Sequence, residues 1–579
     1  MTTHQHSAWV SFPGAPYTQE AALKACQRVL YPRGWQVNHP PATITEHGDA
    51  TCQPPSGQSL YLADYDLLPF EDLLPISHQG SPSQCSSYVI RKALIRKHYL
   101  ANAIKTFNVK NRSSSFSAQP LIPPTWNIDI QFADELEEFL MDDGYDLAEI
   151  LQRNQEILDQ EAEEEEEGEE EKAISGGNLR KSHHDRRIQW FILKPGMADR
   201  GNGIRIFSTT QQLVDIFEEF EEDEEQEEDE DEGEEEEDGE DDLQDRTRKG
   251  QNIGNGLGKD TSVMTSQLRH FVIQEYISNP LTIRPPRIKE EEEKRCTTDT
   301  ERGQDSEARG GGRMRKCKGR KFHLRAYVLC VGSLKVYLHK DMLALFSPRS
   351  YRSPGQSDFK DLSRHLTNTC LQSSTEDQNG KAEERGEQVM DDCEEDDFRS
   401  SPEENVHLWR DLVGSDFDLE DAEGQEVLTE DMIRDVEEKV ARLVGDSFKA
   451  AAKAGSVHWQ MWPNAFEIFG VDVLVNWKDV DGEGKGGKGA KELGVWLLEV
   501  NAQPDFAQTG QRLKETIDRL FERTCQLAVL PFHHHPTISS SSDPEEEDQG
   551  GVKDSEAWEV GQTRDGTVLC FQEEVSKGW

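Results

Sequence analysis

The stretch Trp496–Phe506 reads WLLEVNAQPDF. A β-prone apolar run carries a carboxylate at Glu499 and an amide at Asn501, then breaks at Pro504. A strand ending at the proline is expected, because proline cannot donate to a ladder. Side chains alternate along a strand, which puts Leu497, Glu499 and Asn501 on one face and Trp496, Leu498 and Val500 on the other. The second face reads as core, and the first turns from apolar to oxygen-bearing at the strand's end. Upstream, FGVDVLV (469–475) reads as a neighbouring strand in which Asp472 stands among Val471, Val473 and Leu474. Two carboxylates and an amide oxygen on adjacent strands suit Mg²⁺, a hard cation held by one or two carboxylates plus substrate phosphates. The plainer alternative is that Asp472 and Glu499 are paired with lysines or capped by backbone amides.

A magnesium ion of this kind implies phosphates, and the chain carries groups that could bind them. RRIQWFILKPGMADRGNGIRIF (186–207) reads as strand, glycine-rich loop, strand. Lys194 closes the first strand, and Gly201 and Gly203 would let backbone N–H groups approach a phosphate. Such a loop taken alone is as often a plain turn, and the GxxxxGK[ST] phosphate loop is absent from the sequence. KFHLRAYVLCVGSLKVYLHKDMLALF (321–346) reads as a hairpin turning at Gly332–Ser333, with Lys321 and Arg325 on its first strand. Residues 86–107 have helical apolar spacing interleaved with Arg91, Lys92, Arg96 and Lys97. Those cations form a solvated face, or one of them reaches a phosphate or carboxylate. Leu428–Ala454 predicts a helix capped by Thr429, with Met432, Ile433, Val436, Val440, Leu443 and Val444 on its apolar stripe and Gly455 at its end.

The formal net charge of −49 is concentrated. Acids fill 22 of the 28 positions Glu218–Asp245 and 9 of the 11 positions Glu161–Glu171. Such runs cannot bury enough apolar surface to offset chain ordering, so they are expected to be solvated insertions. The ten cysteines are scattered without a CxxC pair, which fits a reducing compartment better than a secreted or zinc-bound fold. No apolar run approaches the roughly 18–20 residues of a membrane helix. A soluble, cytoplasmic chain with no membrane partner is the expectation.

In order, LKPGMADRGNGIRIF, FVIQEYISNPLTI, RKFHLRAYVL, HLTN, FGVDVLV and LLEVNAQP resemble the tubulin tyrosine ligase and ligase-like family, and most of all its fungal branch, which includes P-body-associated members. The resemblance covers most of 60–530. It implies an α+β (α/β) ATP-grasp fold with ATP between two sheet-containing units. The expected division is an N-terminal α/β domain (8–84), a central ATP-grasp subdomain (85–277), a C-terminal ATP-grasp subdomain with the metal site (278–532) and a polar tail (533–579). Disordered insertions are expected at about 158–184, 218–262, 285–318, 373–405 and 478–494.

Carried over by motif, Lys194 and Lys321 would contact ATP phosphates, and the loop with Arg200, Gly201, Gly203 and Ile204 would cover them. Gln274, Glu275, Tyr276 and Ile277 would line the adenine. Lys92 matches a basic position of the N-terminal helix, and Thr367 and Asn368 lie near substrate and nucleotide. Asp472, Glu499 and Asn501 would hold Mg²⁺, while Arg325, Lys321 and Glu499 carry the catalysis. The implied reaction joins a free amino acid to a protein carboxylate, with the tubulin C-terminal tail as acceptor.

Two positions depart from the family's pattern. His323 stands where aspartate is common, and Leu345 at about the place of an arginine that binds the amino acid's carboxylate. A leucine cannot pair with a carboxylate, so a diverged ATP-binding scaffold of cytoplasmic RNA granules stays open as the alternative. RGGGRMRKCKGRK (309–321) could contact RNA phosphates, although a flexible insertion is the plainer reading. The acidic run 218–245 could compete with a glutamate-rich tail for a basic groove, or serve only as a spacer.

Overall fold

The computed structural model describes residues 6–40, 54–73, 83–111, 120–130, 135–174, 187–197, 201–233, 270–286, 319–357, 359–367, 405–418, 426–479, 491–533 and 558–573. Three sheets carry the fold. The first is parallel, in the order β2 (Trp35–Asn38), β1 (His6–Ser11), β3 (Leu60–Ala63), β4 (Gln84–Cys85). This is the small α/β unit expected near the N-terminus, with the helix Pro16–Ala25 as one of its crossovers.

The second sheet is antiparallel, in the order β5 (Thr125–Asp129), β8 (His270–Glu275), β6 (Phe191–Pro195), β7 (Arg205–Phe207). Alternation divides its faces. Phe191, Leu193, Phe271 and Ile273 pack on Leu147, Leu151, Leu213 and Phe217 of the helices Tyr145–Ile174 and Thr210–Gly233. Lys194, Val272 and Gln274 take the opposite face, with Lys194 across from Val272 and Thr125 across from Gln274.

The third sheet has eleven strands, β9 (Thr282–Ile283), β10 (Arg320–Val331), β11 (Lys335–His339), β12 (Leu343–Ser350), β13 (Val406–Leu408), β14 (Asp416–Phe417), β15 (Glu426–Val427), β16 (Phe466–Asp479), β17 (Lys491–Ala502), β18 (Thr563–Arg564) and β19 (Thr567–Gln572). β10, the long central strand, pairs antiparallel with β16, and β16 with β17. The hairpin β10–β11 turns at Gly332, whose φ of +59° is the left-handed conformation that glycine adopts without strain. The helix Glu430–Ala452 forms as its sequence predicts. The Thr429 side chain accepts from the Met432 amide, and Ile433, Val436, Val440, Leu443 and Val444 are buried against the sheet.

Four expectations differ from the structure. The acidic runs do not leave the fold at once: one helix continues through 161–171 to Ile174, and another through 218–233. Both helices start from buried apolar faces, and glutamate is a good helix former, so the acids prolong them. The rest of those runs, with most of 285–318 and 373–405, lies outside the described residues. The connection expected at 478–494 is shorter, because β16 extends to Asp479 and pairs it with Lys491 of β17.

Residues 558–573 are not a plain polar tail, since β19 covers the β11 edge. There the helix packs so closely that a Cβ on Gly445 would stand 2.6 Å from the Cys570 carbonyl oxygen. Finally, the single helix expected across 86–107 is broken at Arg96, which is extended between Lys92–Ile95 and Lys97–Asn111.

Candidate active site

The opening stretch forms β17, and Asp472 of β16 stands directly across from Glu499. The register slips between Asp472 and Val473, leaving Leu498 as the extra residue of a bulge. The bulge alters the simple alternation expected from the sequence. Leu493, Val495, Leu497 and Val500 all reach the core, so Leu497 and Val500 share a face that strict alternation would split. Glu499 and Asn501, on either side of Val500, are thereby turned away from the core together. The strand ends at Ala502, and the next residue, Gln503, has a φ of +48° that is unusual for a residue with a side chain. Gly470 lies opposite Asn501, where a Cβ would come within 2.9 Å of Pro504 and 3.2 Å of Arg325.

The oxygens of the two strands converge. Asn501 Nδ2 donates to Asp472 Oδ2 at 3.3 Å and to Glu499 Oε1 at 3.2 Å. Arg325 of β10, register partner of Asp472, grips that carboxylate with both Nε and Nη2, the second bond being 3.1 Å. Burial alone would weaken the charge on Arg325, but Asp472 more than restores it and raises its pKa. Lys97 Nζ is 3.5 Å from Glu499 Oε2. Burial would push the Glu499 carboxyl up, yet Lys97, Lys194, the Asn501 amide and Arg325 hold it at about 2. The ion pairs of the plainer reading are therefore present, and they coexist with the converging oxygens. The two carboxylates offer the oxygen chemistry of a hard divalent cation, while the Asn501 amide turns its nitrogen to both of them. That cation would share Asp472 with Arg325.

Two buried lysines face this cluster. Lys194 Nζ donates to Gln274 Oε1 at 2.9 Å, and Lys321 Nζ to the Tyr276 hydroxyl at 3.0 Å. Burial lowers Lys194 to about 8, with Glu499 opposing and Lys97 adding to the fall. Burial and the charge of Lys194 bring Lys321 down to about 7. Thr125, Lys194, Gln274, Lys97 and Glu499 line one recess, drawn from the second sheet, the broken helix and β17.

The remaining sequence-derived residues fall into place unevenly. Gly201 and Gly203 have φ of +87° and +68°, which a phosphate loop and a plain turn share, and Ile204 packs near Trp190 and Tyr276. Arg200 and Asn368 lie outside the described residues. The backbone amides of Glu275 and Tyr276 donate to Pro124 and Trp190, so those two N–H groups are taken within the fold. Thr367 Oγ1 lies 2.5 Å from His323 Nδ1, and His323 Nε2 lies 3.5 Å from Asp472 Oδ1. Lys92 sits over the Tyr99 ring at 5.3 Å, whereas the cation that meets Glu499 is Lys97. Sequence spacing did not single out Lys97, because the break at Arg96 sets its direction. Nor did spacing single out the lysine-holding side chains of Gln274 and Tyr276, residues that the resemblance places at the adenine partly through backbone groups.

The fold and this cluster define a mixed helix-and-sheet protein whose cations and carboxylates meet between two sheets. The family model described as "Tubulin-tyrosine ligase family" matches residues 137–412 and 413–537. A probable tubulin–tyrosine ligase of Schizosaccharomyces pombe is 31% identical over 475 residues, covering 82% of this chain and 83% of that one. The probable tubulin–tyrosine ligase PBY1 of Saccharomyces cerevisiae is 29% identical over 477 residues, covering 82% of this chain but 46% of the longer relative. A solved structure of the C-terminal domain of Kluyveromyces lactis Pby1, titled an ATP-grasp enzyme interacting with the mRNA decapping enzyme Dcp2, aligns over 93% of this chain and 97% of its own at 23% identity and a TM-score of 0.45. The chain belongs to the tubulin-tyrosine ligase family.

Proposed function

We propose that the chain is an ATP-dependent carboxylate–amine ligase that adds an amino acid to a protein carboxylate, with the tubulin tail as the acceptor the family membership favours. One observation carries the reading: two buried, depressed lysines and a converging Asp472–Glu499–Asn501 set meet between two sheets. Buried ammonium groups with few internal counter-charges suit the multiply charged phosphates of a nucleotide.

In the proposed reaction the acceptor carboxylate attacks the γ-phosphorus and ADP leaves, giving an acyl phosphate. The amino acid's amine then attacks the acyl carbon, releasing phosphate and a proton as the amide bond forms. Lys194 and Lys321 would bind and orient the phosphates, and the backbone at Gly201 and Gly203 would close over them. Arg325, with its rigid fork of donors, would orient a carboxylate or acyl phosphate. Asp472, Glu499 and Asn501 would hold magnesium, which when bound supplies charge neutralisation at the phosphates.

The test is ATP turnover and ligation with each amino acid in turn and tubulin as acceptor, with Glu499→Gln as control. ATP-dependent ligation that Glu499→Gln abolishes supports the reading; unchanged ATP affinity and turnover in that variant refutes the metal assignment. A second reading, a diverged ATP-binding scaffold of cytoplasmic RNA granules such as P-bodies, is favoured by Leu345, which is 2% exposed and packed in apolar core beside the site. Nucleotide binding without ligation of any amino acid would select it.

A further inference from the structure

Lys321 stands on β10 of the large sheet, yet its ammonium is held by a residue of the second sheet's segment. Tyr276 follows β8, and its backbone amide donates to the Trp190 carbonyl at 2.8 Å, so the ring leaves the backbone at a fixed place. The ring packs with Trp190, Ile192 and Ile206. Its hydroxyl accepts from Lys321 at 3.0 Å, and its face lies 4.3 Å from the same ammonium. The hydroxyl also lies 3.0 Å from His365 Nδ1, in the HLTN segment. Tyr351 is a further hydrogen-bonding neighbour of the same hydroxyl. Lys321, Tyr276 and His365 are all buried.

We infer that Tyr276 is a positioning residue: its hydroxyl fixes the Lys321 ammonium between the two sheets and ties it to the HLTN segment through His365. The inference rests on the nucleotide reading above for its functional consequence, though not for its geometry. A lysine reaches its target on a flexible stem with three rotatable donors. Inside an apolar cluster, an acceptor and a ring face leave that stem one favourable place. Gln274, two residues earlier on β8, does the same for Lys194. The end of β8 and the residue after it thus set both lysines, which repel one another. The tyrosine's part is to aim a cation, and any contact its segment makes with a base is separate from that.

The test is Tyr276→Phe, which keeps the ring and its packing and removes only the hydroxyl. Calorimetry would compare ATP with adenosine. Acylation of lysine amines by an activated ester, read by mass spectrometry, would compare Lys321 with the other lysines. ATP affinity is expected to fall about tenfold while adenosine affinity stays within about twofold. The labelling rate of Lys321 is expected to change at least about threefold, with the other lysines and the melting temperature holding. Equal loss of ATP and adenosine affinity, or an unchanged Lys321 labelling rate, overturns the inference. If the unaltered protein binds neither ligand, the nucleotide reading fails, and the labelling result still decides whether Tyr276 positions Lys321.

Discussion

Replacing Lys321 by methionine should make the protein more stable while disabling it. The side chain is buried on β10, and burial with the nearby charge of Lys194 brings its ammonium from 10.5 down to about 7. Each tenfold of that displacement costs about 1.4 kcal/mol, so keeping the group charged inside the fold costs at most about 5 kcal/mol. Methionine fills similar space without charge, but it leaves the Tyr276 hydroxyl short of a donor, which costs about 1–3 kcal/mol. The expected net gain is about 2–3 kcal/mol, in line with buried charges replaced by apolar residues of like volume.

The pH dependence has a definite sign. The penalty is complete below about pH 7, where the folded-state lysine is protonated, and fades toward 10.5, where the unfolded lysine also loses its proton. Urea unfolding of both proteins, without nucleotide, at pH 6, 8 and 10 reads the gap directly. A Lys321→Met protein less stable than the parent at pH 6, or a gap that does not narrow by pH 10, refutes the reasoning. ATP affinity, measured in parallel, should be lost.

Glu499→Gln should act in the opposite direction. Burial works against the carboxylate, but the surrounding cations and amide hold it at about 2 instead of 4.5. Since its side chain is 27% exposed, the cost at neutral pH is discounted to about 2 kcal/mol. That stabilisation is complete above about pH 4.5 and lost as pH falls through about 2, so paired urea melts at pH 7 and pH 3 should show the gap closing. Lys97→Met removes the cation 3.5 Å from Glu499 and should weaken ATP binding about three- to tenfold, more than Lys92→Met does, as titration calorimetry would show.

Much of this was legible because local chemistry and tertiary need agree. The Thr429 cap and apolar stripe fixed the helix Glu430–Ala452, and the apolar runs of β16 and β17 put Asp472 beside Glu499. What escaped depends on contacts far apart in sequence. The bulge at Leu498 is a property of the β16–β17 pairing, and it sends Leu497 and Val500 to one face. The break at Arg96 accompanies a buried ion pair, Arg91 Nε to Glu467 Oε1 at 2.7 Å, that anchors the segment to β16. That ion pair spans 376 residues of sequence, and periodicity within 86–107 carries no trace of it. β19 was hidden for a similar reason, since its apolar TVLCF makes sense as a strand only once the β11 edge is there to receive it.

The two positions expected to depart from the family's pattern are joined by register. His323 on β10 and Leu345 on β12 are cross-strand partners. Both are buried, and Leu345 packs in the cluster that holds Tyr327, Leu343 and Val406. A cation at 345 would enter that apolar cluster and would need an acid close by to offset its desolvation. The residue opposite is an imidazole that burial holds toward its neutral form and that lies 2.5 Å from Thr367. Paired positions of this kind couple, because either change alone leaves a charge without its complement. An acid at 323 facing leucine, or an arginine at 345 facing neutral histidine, would each be worse than the pair present. His323 and Leu345 therefore act as one unit of the wall beside Arg325. Leu345→Arg alone should cost stability, read as a lower urea midpoint than the parent's, and an acid introduced at 323 together with it should recover part of that loss.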